Sequence, residues 1–159
     1  MFGKGDKVVY PLYGAGVIEE LEQKLVDGEP ETYYVLNIPV SNLKIMVSAS
    51  KAEVLGIRNV YTKAEVSEII NDRSLTDAVM NQNWNQRYKE NFEKIKSGLL
   101  REVITVFRNL LNREKLRSLS SAEKKMLTTA KQIIISEIAI SHNIEKGEAE
   151  EILLLAVTD

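Results

Sequence analysis

The sequence predicts an α+β protein: a small N-terminal β-barrel of the SH3 or Tudor kind, then an all-α helical bundle. Three observations predict it. Residues 1–56 divide into short runs of β-branched and aromatic residues, punctuated by Gly, Pro, Asp and Asn. From Thr62 onward the apolar residues recur three and four apart. The basic block of the chain, residues 84–131, also falls wholly within the second part. We place the units at residues 1–56 and 62–159.

In the first unit, Val8, Val9 and Tyr10 predict a short strand ended by Pro11. Tyr13-Gly14-Ala15-Gly16 predicts a turn, because glycine adopts backbone angles other residues avoid. Val17 to Leu25 predicts a long strand, Asp27-Gly28-Glu29 a hairpin, and Thr32 to Ile38 the returning strand, broken by Pro39. Ser41-Asn42 predicts another turn before Leu43 to Val47, which alternates as a half-buried strand does. We expect five short strands in all, bent into a barrel whose open edge can recruit a partner strand.

In the second unit, Thr62-Lys63-Ala64-Glu65 is a capping box opening a helix that carries Val66, Ile69 and Ile70. Residues 71–83 are polar and broken. A second helix is predicted from Asn85 to Lys96, burying Tyr88, Phe92 and Ile95, and ended by Ser97-Gly98. Leu99 to Leu116 carries a wide apolar stripe. Ser120-Ser121-Ala122-Glu123 reads as a second capping box, opening a long helix to about Ser141, and Lys146 to Val157 closes the chain.

Composition excludes several functions. There is no cysteine and one histidine, His142. A thiol nucleophile, a disulfide framework, thiolate metal sites and a two-histidine relay are therefore out. His142 reads as a dipole-compatible cap at a helix C-terminus. Gly3-Lys4-Gly5 and Gly14-Ala15-Gly16 lack the spacing of a phosphate loop. Glu19, Glu20 and Glu22 share a strand with no base or nucleophile, so they read as solvated surface. No run approaches the roughly 18 apolar residues of a membrane span, and the N-terminus lacks a signal-peptide pattern. We expect a cytoplasmic, monomeric, non-enzymatic protein with no metal, cofactor or small-molecule substrate.

The formal charge of −2 hides an asymmetry. Residues 84–131 hold 12 Lys/Arg against 5 Asp/Glu, a block of +7, while residues 1–56, 57–83 and 132–159 carry −3, −1 and −5. A polyanion partner fits that block, although long basic side chains also solvate helix faces. Inside the block stands the single tryptophan, in Asn81-Gln82-Asn83-Trp84-Asn85-Gln86-Arg87-Tyr88-Lys89. Two readings stay open. Either Trp84 packs across Met80 and Tyr88 onto the bundle, or it is an exposed aromatic beside Arg87 and Lys89, a combination suited to nucleic acid.

Gly5-Asp6-Lys7-Val8-Val9-Tyr10-Pro11 with Gly14-Ala15-Gly16, followed by Trp84-Asn85-Gln86-Arg87-Tyr88-Lys89-Glu90-Asn91 and Leu119-Ser120-Ser121-Ala122-Glu123-Lys124-Lys125-Met126-Leu127, resembles the CarD/CdnL-type bacterial transcription regulators. Their first domain is shared with the transcription-repair coupling factor. The resemblance implies a Tudor-like domain docking on the RNA polymerase β-subunit lobe and a helical domain touching promoter DNA. It implies a wedge role at the upstream edge of the bubble for Trp84 and backbone contacts for Arg87, Lys89 and Lys124. It implies polymerase contacts at Lys24 and Met46, of which Met46 departs from the family's basic residue. An RNA- or ribosome-binding factor and a protein-only adaptor are the alternatives.

Overall fold

A computed structural model of the chain describes residues 1–76 and 80–158. The N-terminal part is a five-stranded antiparallel sheet: β1 (Lys7–Tyr10), β2 (Gly14–Val26), β3 (Glu29–Ile38), β4 (Leu43–Ser48) and β5 (Arg58–Asn59), in the order β4-β3-β2-β1-β5. Alternation sets its inner face: Val8, Ile18, Tyr34, Leu36, Ile38 and Val47 are buried with Ala52 and Ile57 as one small core. The Asp27-Gly28 hairpin forms as expected, with positive φ at both residues, the requirement of a type I′ turn. Strand β5, to which the sequence reading assigned no residues, closes the far edge on β1.

Gly14-Ala15-Gly16 is strand, not turn. The turn lies one step earlier, where Tyr13 N–H donates to the Tyr10 carbonyl at 2.9 Å. Leu12 takes the positive φ of 76° there. Gly14, Ala15 and Gly16 pair with Tyr10, Val9 and Val8. Their glycines serve close approach: a Cβ on Gly16 would sit 2.1 Å from the Asn37 carbonyl oxygen. Gly16→Ala should therefore force the β2–β3 pairing apart and destabilise the fold by at least about 1–3 kcal/mol. Urea denaturation followed by circular dichroism checks this.

The C-terminal part has five helices: α1 (Lys63–Ile70), α2 (Trp84–Lys96), α3 (Leu100–Leu116), α4 (Ser121–His142) and α5 (Lys146–Val157). The Thr62/Glu65 capping box closes in both directions, at 3.1 and 3.0 Å. At α4 only half the second box forms. Ser120 Oγ accepts the Glu123 N–H at 3.2 Å, while the Glu123 carboxylate turns to another partner described below. Leu99 sits at the N-cap of α3 and is exposed, so the buried stripe begins at Leu100. The polar stretch 71–83 lies partly outside the described residues. Leu100, Ile104, Phe107, Leu110, Ile134, Ile138 and Leu153 dominate the bundle core, with α4 at its centre packing on α3, α5, α1 and β2. No helix among the described residues is long and apolar enough to cross a membrane.

Candidate nucleic-acid interface

The start of α2 is built by side chains that replace missing helix bonds. Asn81 Oδ1 accepts the Asn83 N–H at 2.9 Å, and Asn83 Oδ1 accepts the Gln86 N–H at 3.1 Å as the N-cap. Trp84 is the first helical residue and is 43 % exposed. Its indole N–H donates to Ser120 Oγ at 3.0 Å. The Ser120 hydroxyl also accepts the Glu123 N–H and donates to Glu123 Oε1 at 3.2 Å, which uses one donor and two acceptor sites of that oxygen. The indole lies nearly parallel to Tyr88, with centroids 5.6 Å apart, and Tyr88 to Phe92 at 6.4 Å. Trp84 is thus neither sealed in the bundle nor free; one edge is held and much of the ring is open.

The buried face of α2 differs from the expected one. Arg87, Asn91 and Ile95 point inward, while Tyr88 is half-buried and Phe92 exposed. The row four apart has turned by one position, leaving the aromatics along the rim.

Arg87, expected among the DNA-contacting residues, is buried in the structure. It is 3 % exposed, and its guanidinium donates to Glu123 at 2.9 and 3.3 Å and to the carbonyls of Asn81 and Gln82 at 3.2 and 3.3 Å. Its donors are consumed in tying the loop before Trp84 to the start of α4. Burial raises the Glu123 pKa, but hydrogen bonds and charge from Arg87, helped by Ser120, outweigh it and hold the carboxyl below its ordinary value of 4.5. A depressed folded pKa contributes stability that is whole above the unfolded value and lost as pH falls through the folded one. The wild type should therefore lose thermal stability faster than Glu123→Gln as pH drops below about 4.5. Parallel melts from pH 6 to about pH 3 check this.

Lys89 and Lys124 are exposed, and neither is paired with a carboxylate among the described residues. Lys89 lies on α2 and Lys124 on the first turn of α4. Between those helices runs a groove of about 320 Å³, lined by Leu12, Tyr88, Phe92, Lys125 and Met126 among others.

On the sheet, Lys24 and Met46 are brought together from 22 residues apart. Lys24 Nζ lies 3.6 Å from Met46 Sδ and 5.9 Å from the centre of the Tyr33 ring. Met46 is 41 % exposed and opposes Val35 across the ladder. Strand β4 pairs on one side only, so its outer edge is open. Tyr33 and Val35 belong to this face although sequence reasoning did not single them out; their alternation with buried Tyr34 and Leu36 was the available signal.

Glu19 and Glu20 form surface ion pairs with Lys44 and Lys4. His142 is not the cap of α4; Asn143, at φ 55°, takes that place. Burial, with Lys63 nearby, lowers the His142 pKa, and its ring nitrogens lie 2.9 and 3.4 Å from the hydroxyls of Ser141 and Ser67. Among the described residues no group of three or more His, Asp or Glu is placed to hold a metal ion.

An open-edged sheet unit joined to a bundle with a partly exposed indole is the frame of the molecule. Comparison with known proteins supplies its class, a transcription regulator. Residues 2–61 match the CarD-like/TRCF RID domain, and residues 65–154 match the CarD C-terminal domain. A Bacillus subtilis (strain 168) protein named "Putative transcription factor YdeB" is 37% identical over 148 residues, covering 93% of this chain and 97% of that protein. The chain belongs to the CarD family.

Proposed function

We propose that the protein docks on the RNA polymerase β-subunit lobe through its sheet and stabilises the open promoter complex by seating Trp84 at the upstream edge of the bubble. The observation that carries this reading is the 43 % exposed indole at the start of α2, held at one edge by Ser120, on helices that also carry the exposed Lys89 and Lys124. Such an aromatic can stack on or wedge against a base while the ammonium groups hold phosphates. Arg87 acts from beneath, by fixing the loop, rather than by touching DNA.

Charge explains the need for two units. At −2 overall the chain binds free DNA poorly. Docking raises the local concentration of the +7 block beside promoter DNA to the order of millimolar, where weak contacts suffice. Unstacking costs less where the duplex is already opening, so the wedge favours the melted promoter over the closed one. Among the described residues no row of Arg, Asn or Gln forms a base-reading helix, which favours junction recognition over sequence reading. The protein acts as a cytoplasmic monomer, brought to the nucleoid by polymerase.

The docking contact is Lys24 with Met46, on a face that Tyr33 and Val35 make partly apolar. Methionine gives this contact a softer, less directional character than the family's basic residue. The open edge of β4 offers backbone groups to a partner strand. Lys24→Glu should cut recovery of the protein with the isolated β lobe about tenfold, the size of roughly 1.4 kcal/mol. Equal recovery would contradict the docking assignment.

A further inference from the structure

The barrel and the bundle have separate cores, and α4, central to the bundle, also packs on strand β2 of the barrel. Near its start, α4 supports the wedge: Ser120 holds the Trp84 indole and Glu123 holds Arg87. Seventeen residues further, about 25 Å along the helix axis, it grips the barrel.

That grip is directional. Glu137 is 1 % exposed. Its two oxygens accept a bidentate pair of bonds from Arg58 of β5, at 2.7 and 2.8 Å, and Oε2 also accepts the Tyr61 N–H at 3.1 Å. The Arg58 Nε–H goes to the Gly98 carbonyl at 3.0 Å, and its guanidinium lies 4.2 Å from the centre of the Tyr61 ring. One carboxylate therefore ties the last strand, the connection to α1 and the α2–α3 turn to α4. The preceding residue adds a second tie: Ser136 Oγ accepts the N–H of Ala15 in β2 at 2.8 Å. The fit leaves no slack. A Cβ on Gly14 would stand 2.6 Å from Ser136 Oγ, and one on Gly98 2.6 Å from Pro11 Cγ.

An apolar contact of similar area could slide; a bidentate pair fixes rotation as well as distance. We propose that Glu137, with Arg58 and Ser136, is a positioning clamp that makes α4 a rigid spacer, setting the distance and orientation of Trp84 relative to the polymerase-docking face. This rests on the proposed function for its purpose, though not for its geometry. A rigid spacer presents the indole at one place, whereas a loose joint spreads it over a volume and lowers its effective concentration at the fork.

The absence of native cysteine makes the test clean. Spin labels on Glu22→Cys in β2 and Asn85→Cys in α2, both exposed, report the distance between the units by pulsed electron resonance. Polymerase recovery and open-complex lifetime are measured in unlabelled protein. The expected result is one narrow distance in the parent and a broadened distribution in Glu137→Ala. Polymerase recovery should be unchanged and the lifetime cut about threefold or more. Glu137→Gln keeps the volume and an acceptor for Tyr61, and serves the same comparison if the alanine variant fails to fold. A distribution as narrow as the parent's would overturn the clamp. A broadened distribution with an unchanged lifetime would overturn its positioning role. If Trp84→Ala itself leaves the lifetime unchanged, the proposed function fails while the distances still decide the clamp.

Discussion

Glu123→Ala is expected to lower stability by about 3–5 kcal/mol, the usual result of removing one partner of a buried ion pair. Arg87 and Glu123 are 3 % and 2 % exposed, so neither is hydrated in the folded protein. Without the carboxylate, Arg87 keeps only the carbonyls of Asn81 and Gln82, and a buried charge is left half-satisfied. For a chain of this size the loss corresponds to a fall in melting temperature on the order of 10 °C. The same carboxylate receives the Ser120 hydroxyl, so the support of Trp84 loosens too. Trp84 is the only tryptophan, and its emission should shift to the red without any labelling. Thermal melts followed by fluorescence check both effects. A loss under about 1 kcal/mol would mean that the pair behaves as an exposed one.

Trp84→Ala is expected to do the opposite: little to stability, much to activity. The side chain is 43 % exposed and contributes one hydrogen bond and one aromatic contact to the fold. Base–aromatic stacking is worth about 1–3 kcal/mol. Only the part expressed in the open complex and not in the closed one counts, and about 1.4 kcal/mol of it shortens the open-complex lifetime tenfold. Recovery with polymerase should not change. Lifetimes measured after a competitor challenge, with wild type and variant at saturating concentration, check the prediction. An unchanged lifetime would remove the indole from the mechanism.

The two variants separate support from contact. Arg87 and Trp84 are three residues apart in one motif, W-x-x-R-Y-K, yet one faces the core and the other the solvent. Spacing alone could not divide them, because the residue that draws Arg87 inward, Glu123, lies 36 positions away. Its sequence neighbourhood showed only a helix start. The diversion of that carboxylate from the capping box to Arg87 is a tertiary event, and Arg87 and Asn91, rather than Tyr88 and Phe92, lie on the buried face of α2 with Ile95.

Features governed by neighbours in sequence were legible. The Asp27-Gly28 hairpin, the Thr62 and Ser120 caps and the five helices lie close to where local chemistry puts them. Gly14-Ala15-Gly16 was not, for a related reason. Glycine there answers to the Asn37 carbonyl and to Ser136, 21 and 122 residues distant, and not to a turn. The pairing of Lys24 with Met46 came from family resemblance, and the folded sheet brings them within 3.6 Å. The clamp at Glu137 left no mark in the sequence at all, since a lone glutamate in a long helix reads as solvated surface.

On the proposed mechanism Trp84 meets promoter DNA only when polymerase has placed it there. Because the chain has one tryptophan, 5-fluorotryptophan puts a single fluorine resonance on that indole, silent to unlabelled polymerase and DNA. Its spectrum would be recorded with promoter DNA alone, with polymerase alone, and with both. The expected resonance lies close to that of the free protein in the first two cases and is displaced only when the open complex forms. A resonance that stays in place in the full complex would contradict the mechanism.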